Sequence, residues 1–183
     1  MSWLEIVAFL LGVANVTLVV RRSLWNYPVA LVMVSLYGLL FARERLYSDA
    51  GLQVFFFAIN LYGWIVWRRN LAREGVVRVE TLSGWARLAW VAAIAVVALL
   101  WGAAMATMTD AAMPYWDATN AAASIAAQIL LARRKIENWL LWIAVDVSSI
   151  ALYAMKGLTL TAILYVIFSG LSLWGYREWR VRA

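Results

Sequence analysis

Seven apolar stretches, parted by short charged or polar breaks, run the whole length of this chain. They fall at residues 3–20, 25–42, 47–67, 85–107, 115–132, 139–155 and 159–176. Most are close to the ~20 residues a helix needs to cross a bilayer. Backbone N–H and C=O groups in hydrocarbon have no water to bond, so each stretch is expected to close its hydrogen bonds within itself, as a helix. Composition agrees: 66% of residues are hydrophobic and only 14% charged, against about half and a quarter in soluble domains. Twelve Trp and 8 Tyr suit two aromatic interface belts. The first stretch has neither a charged n-region nor a small-residue cleavage site, so it reads as a span rather than a signal peptide.

The basic residues orient the helices. With the N-terminus outside, the inward segments carry Arg21, Arg22, Arg68, Arg69, Arg73, Arg78, Arg87, Arg133, Arg134, Lys135, Arg177, Arg180 and Arg182. The outward ones carry only Arg43, Arg45 and Lys156. The positive-inside rule then favours an outside N-terminus, a cytoplasmic C-terminus and an odd number of spans. The longest hydrophilic stretch, 68–84, is expected in the cytoplasm. The net charge of +6 is therefore topological and does not point to nucleic acid.

Shifted by 112 positions, the chain matches itself without a gap. Arg21, Arg22 and Asn26 fall on Arg133, Arg134 and Asn138. Ala50, Leu52, Val54 and Phe56 fall on Ala162, Leu164, Val166 and Phe168, and Gly63, Trp67 and Arg68 on Gly175, Trp179 and Arg180. The repeat unit is three helices, which leaves the fourth span as a connector. Three helices reverse the side of the membrane and one more restores it, so the two copies are parallel, as in SWEET-like transporters. The expected architecture is all-α, 3+1+3. A first bundle covers 1–67, a cytoplasmic linker 68–84, a connector helix 85–107 and a second bundle 108–183.

Polar groups in lipid are costly and usually face a bundle interior or a wet cavity. In the fifth span Asp117, Asn120, Ser124 and Gln128 recur at three- to four-residue spacing and share one helical face. The third span carries Gln53, Asn60, Trp64 and Trp67, with Tyr62 and Gly63 beside them; amides donate and accept, which suits sugar hydroxyls. Trp67 reads as an interface anchor. In the sixth span Asn138, Trp142 and Asp146 lie one turn apart, with Asp146 about 11 Å deep by helical rise. An ionisable group at that depth is a functional-site hypothesis by default, and Trp142 offers a face to a cationic ring. Thr161, Tyr165, Ser169 and Ser172 share a face of the seventh span. Glu5, Gly12 and Asn15 in the first span, and Ser35 and Tyr37 in the second, are weaker. The fourth span has almost nothing polar at its centre. A lining of amides, hydroxyls and aromatics suits an uncharged or singly cationic polar solute with a ring. A phosphorylated ligand would want convergent Arg or Lys, and none sits mid-span.

Several classes are excluded. There is no Cys and no His, hence no disulfide, thiol nucleophile, usual zinc site or His base. Asp49 and Asp117 sit at outer helix ends, too far from deep Asp146 to share a proton or metal, and no HExxH occurs, so an enzyme is not expected. Neither a ring of charge nor a filter loop marks an ion channel.

From Arg133 to Tyr165 the sequence runs Glu137-Asn138-Trp139-Leu140-Leu141-Trp142, Val145-Asp146-Val147, Leu152-Tyr153, Lys156-Gly157-Leu158 and Leu160-Thr161-Ala162. Together with Asn60-Leu61-Tyr62-Gly63-Trp64, this resembles the PnuC family of nicotinamide riboside transporters over most of the chain, poorest in the linker and fourth span. The resemblance implies a SWEET-like fold, a homotrimer in the bacterial inner membrane, and uptake by facilitated diffusion with a cytoplasmic kinase trapping the product. No cofactor is implied. It places substrate contact on Gln53, Asn60, Asn138, Trp139, Trp142, Asp146 and Tyr165; Trp64, Asn120, Ser124 and Gln128 join them from the helical faces. Thiamine and riboflavin carriers belong to the wider family and remain alternatives.

Overall fold

A computed structural model describes residues 3–43, 47–110, 113–155, 157 and 159–182. Arg45 and Lys156, used above to orient the chain, lie outside the described residues, as do the side chains of Glu5, Arg43, Asp49 and Thr161. Among the described residues the chain forms seven α-helices: α1 Trp3–Val20, α2 Asn26–Arg43, α3 Tyr47–Glu74, α4 Gly84–Met108, α5 Pro114–Ala132, α6 Asn138–Met155 and α7 Thr159–Val181. α4 and α6 are each long and apolar enough to cross a membrane on that ground alone.

The helix ends differ from the hydropathy boundaries chiefly at α3 and α7. Hydropathy ends span three at Trp67, whereas α3 runs on to Glu74, and α7 runs past Tyr176 to Val181. A polar tail stays helical once it leaves lipid. Asn70 Nδ2 donates to Glu74 Oε1 at 3.0 Å, one turn along. Gly75 then stops α3 in left-handed backbone (φ 71°), its N–H reaching Leu71 O at 2.9 Å. The opening stretch of the expected linker, 68–74, is therefore helix.

The chain divides into two compact units. Unit 1 holds residues 1–79, 132–134 and 174–183; unit 2 holds 80–131 and 135–173. In unit 1, α2 packs on both α1 and α3. Its densest point is aromatic. Tyr27, Trp67 and Trp179 are all fully buried, with Trp67 edge-on to Tyr27 at 5.3 Å and tilted against Trp179 at 5.8 Å. Trp179 Nε1 donates to Val20 O. Trp67 is thus a core residue and not the interface anchor its position suggested: on α3 it follows Asn60 and Gly63 along the face turned to α2. In a bilayer such packing is held by dispersion and shape, since lipid is as apolar as the core.

The turn closing α1 is a Schellman motif. Ser23 N reaches Leu18 O at 2.9 Å and Arg22 N reaches Val19 O at 2.9 Å. The left-handed position, usually glycine, is Arg22 (φ 55°). Its guanidinium offsets that strain by donating to Val77 O at 3.0 Å. Burial, then the Arg182 charge, lowers its pKa from the ordinary arginine value. After α5 the geometry recurs 112 positions on: Arg134 is left-handed (φ 61°), Lys135 N reaches Leu130 O at 2.8 Å, and Arg134 Nη1 donates to Arg78 O at 2.9 Å. Asn26 and Asn138 open the next helices, each Nδ2 donating to the carbonyl three residues back at 2.6 Å.

In unit 2, α4 buries only Ala98 and Gly102 among its residues, while Leu88, Val91, Val96, Leu99 and Leu100 stand exposed. Such a surface belongs in lipid. Before α4, Glu80 bridges to the α5–α6 turn: Ile136 N donates to Glu80 O and Lys135 Nζ to Glu80 Oε2. Glu137, 7% exposed, accepts from Leu82 N and from Arg87 Nε, each at 3.0 Å.

At Gly63 the Tyr27 ring of α2 lies directly against the α3 backbone. A Cβ there would lie 2.7 Å from Tyr27 Oη and 2.8 Å from its Cε1, and Tyr27 is wedged against Trp67. Gly63→Ala is therefore expected to destabilise by about 1–3 kcal/mol. Gly170→Ala, where nothing stands within 4 Å, should be neutral or stabilising by a few tenths through helix propensity. Thermal melting of both purified variants in one detergent checks the pair; equal midpoints would contradict the packing.

Candidate functional site

The polar residues of unit 2 lie on buried faces of α6 and α7 and on a half-buried face of α5. α6 buries Asn138, Trp139, Val145, Asp146, Ser149 and Leu152, a helical stripe by spacing. Asp146 is 5% exposed and accepts a hydrogen bond from Ser172 Oγ of α7 at 3.0 Å. Trp142 lies one turn before it and is half-buried. Ser149, one turn after Asp146, and Tyr153 lie close enough to the Tyr165 hydroxyl to interact with it. The two tyrosine rings stack at 5.4 Å and 15°, with Phe168 edge-on at 6.3 Å. Asp146 and Tyr165 thus fall within one polar patch of unit 2. Ser172 belonged to the expected α7 face, but its pairing with Asp146 had no signal in the sequence except the repeat: shifted by 112, Ser172 falls on Asn60, and each is 4% exposed.

On α5, Ala118, Ala122, Ala126 and Leu130 are buried. Asn120, Ser124 and Gln128 occupy a different face and are half-buried. Small residues therefore pack tightly on one side of α5, while its polar ones stay partly open. Asp117 has a simpler role: it lies in the first turn, where a negative charge is stabilised by the helix dipole. Trp116 Nε1 donates to Ser148 Oγ at 2.8 Å, tying α5 to α6.

Asn138 and Trp139 open α6 and are almost fully buried. The Asn138 amide nitrogen is committed to Lys135 O, and its Oδ1 is buried without a hydrogen-bond partner among the described residues, as is Glu137 Oε2. Glu137 itself went unmarked as a functional residue in the sequence; its clamp on Leu82 and Arg87 is long-range and leaves no local pattern.

Gln53, Asn60 and Trp64 belong to unit 1. The Gln53 side chain packs on Gly38. Asn60 is buried, with Nδ2 donating to Phe56 O one turn back. Trp64 is half-buried at the edge of a groove with Leu61, Ile65, Arg68 and Arg69. Among the described residues no cluster of His, Cys, Asp or Glu could hold a metal.

A helical chain with polar side chains on its inner faces and apolar ones outside has the form of a multi-pass membrane transporter. Known proteins agree. A family model described as nicotinamide mononucleotide transporter matches residues 2–181. The nicotinamide riboside transporter PnuC of Escherichia coli (strain K12) is 31% identical over 204 residues, spanning 98% of this chain and 85% of its own. The riboflavin/roseoflavin transporter RibM of Streptomyces davaonensis is 35% identical over 188 residues, spanning 99% and 86%. A crystal structure of the vitamin B3 transporter PnuC superposes with a TM-score of 0.79 at 28% identity, over 98% of this chain and 81% of that one. The chain belongs to this family of PnuC-type transporters and is a carrier, not an enzyme.

Removing the Ser172 hydroxyl leaves a buried carboxylate with one donor fewer. Ser172→Ala should therefore cost about 1–3 kcal/mol, read as a lowered melting midpoint, while Ser169→Ala, half-buried on the same helix, should cost less. A Ser172→Ala protein that melts with the wild type would show that Asp146 does not depend on this bond.

Proposed function

We propose that this protein carries nicotinamide riboside across the bacterial inner membrane by facilitated diffusion. Asp146 is the observation that carries the reading: a buried carboxylate on α6, bonded to Ser172, one turn from the Trp142 ring. A riboside with a cationic pyridinium ring finds there a charge partner and an aromatic face. Asn120, Ser124 and Gln128 line the passage with groups suited to ribose hydroxyls. Tyr165 closes the patch from α7. Asn138 and Trp139 shape the entry to α6, and Asn138 Oδ1 is the acceptor left for solute or water. Gln53 and Asn60 are the counterparts, 112 positions earlier, of Tyr165 and Ser172, and family resemblance supports substrate contact for Gln53 and Asn60.

The recurrence of the left-handed arginine turn at Arg22 and Arg134, with identical asparagine bonds after each, supports a 3+1+3 SWEET-like architecture with α4 as connector. The distribution of basic residues supports an outside N-terminus and a cytoplasmic C-terminus. Family resemblance supports a homotrimer and trapping of the product by a cytoplasmic kinase. Although the matching family model carries the name of a mononucleotide, no Arg or Lys lies at mid-helix to meet a phosphate.

Riboflavin is the second reading, favoured by the 35% identity to RibM over nearly the whole chain. A neutral isoalloxazine ring has no call on a carboxylate, so Asp146 separates the two. Purified protein in detergent would be titrated with nicotinamide riboside, thiamine, riboflavin and nicotinamide mononucleotide. The riboside is expected to bind, with Trp142→Ala and Asp146→Asn each weakening it roughly tenfold or more. Riboflavin binding that is indifferent to Asp146→Asn would transfer the assignment to the flavin. A carrier that also moves protons would do so through Asp146, so unchanged pH dependence of transport in Asp146→Asn would remove that residue from any coupling.

A further inference from the structure

We infer that the outer groove on α3, lined by Leu61, Trp64, Ile65, Arg68 and Arg69, is a binding site for one anionic phospholipid. The groove encloses about 370 Å³, the size of a small-ligand pocket and far more than a water needs. Its floor is apolar, with Leu61 40% and Ile65 51% exposed. At one end stand two adjacent, exposed guanidinium groups. The helical rise puts Arg68 about 32 Å from the start of α3 at Tyr47, close to the ~30 Å of a hydrocarbon core. The two arginines therefore sit at headgroup depth, with the groove below them at acyl-chain depth and Trp64 at the boundary, where its amphipathic ring is favoured.

Charge decides the occupant. Two guanidinium groups repel a cationic solute, so the groove is not a second site for the riboside. They match a phosphodiester, which accepts several hydrogen bonds from such a pair. A second copy of the chain would have to bring carboxylates. The four glutamates of the inward segments are already engaged at home: Glu74 with Arg78, Glu80 with Lys135, Glu137 with Arg87 and Glu178 with Arg182. A lipid needs no such partner and fills both halves of the groove at once. Trp64 is then a lipid-facing residue rather than a substrate contact.

The test uses the whole protein in nanodiscs of phosphatidylcholine with increasing phosphatidylglycerol, reading retained lipid by native mass spectrometry and the melting midpoint. Wild type should retain phosphatidylglycerol in preference to phosphatidylcholine and melt higher as its fraction rises. The double variant R68Q/R69Q should lose that preference by on the order of tenfold, and Ile65→Trp, which fills the groove without altering charge, should lose it too. Arg73→Gln, an exposed arginine one turn or more beyond the groove, should keep it. No preference in the wild type, or an equal loss in Arg73→Gln, overturns the site. Equal stabilisation by inorganic phosphate would overturn it in favour of a free anion. A change of oligomeric state in R68Q/R69Q with no lipid dependence would overturn it in favour of a second copy.

Discussion

Everything in this chain depends on reversing a membrane helix without leaving its carbonyls bare. Two reversals are made the same way, by a Schellman turn with arginine at the left-handed position. Glycine would enter that backbone without steric cost. Arginine accepts the strain, on the order of 1–2 kcal/mol, and returns a charged donor to a carbonyl of the 77–78 segment. The turn and the segment beneath it are thereby one hydrogen-bonded object. The asparagine that opens the next helix repeats the principle, spending its amide on the turn's own carbonyl.

Much of this was legible in sequence. Helices in lipid are dictated by backbone chemistry, so hydropathy placed all seven to within a few residues except where α3 and α7 continue into water. The recurrence of the Arg22 and Arg134 turns was legible because Arg and Asn are informative letters among Leu, Ala and Val. Long-range pairing was not. Nothing in the neighbourhood of Glu137 says that it will hold Leu82 and Arg87, and nothing near Asp146 names Ser172. Trp67 misled for a related reason: a tryptophan beside two arginines has the local pattern of an interface anchor, and only the packing of Tyr27 and Trp179 around it shows a core residue.

The site divides by the same logic. Periodicity marked the α5 face of Asn120, Ser124 and Gln128 as a candidate, and depth marked Asp146, since both are properties of one helix. Which polar groups would be used up by structure was not readable. Asn138 gives its nitrogen to a turn and Asn60 gives one to its own helix, so each retains only part of its hydrogen-bonding capacity for a solute. Unit 2 thus carries a half-buried face of amides and a hydroxyl on α5 and one buried carboxylate on α6, chemistry that suits a cationic, hydroxyl-bearing ring.

The central claim is that the α5 face borders an aqueous solute path, and the absence of cysteine from the chain makes it directly measurable. Ser124→Cys introduces the only thiol, and its rate of modification by a small hydrophilic thiol reagent can be followed in proteoliposomes with and without saturating nicotinamide riboside. The account predicts that the thiol reacts and that the riboside slows it severalfold. A thiol that never reacts, or one whose rate ignores the riboside, would contradict it.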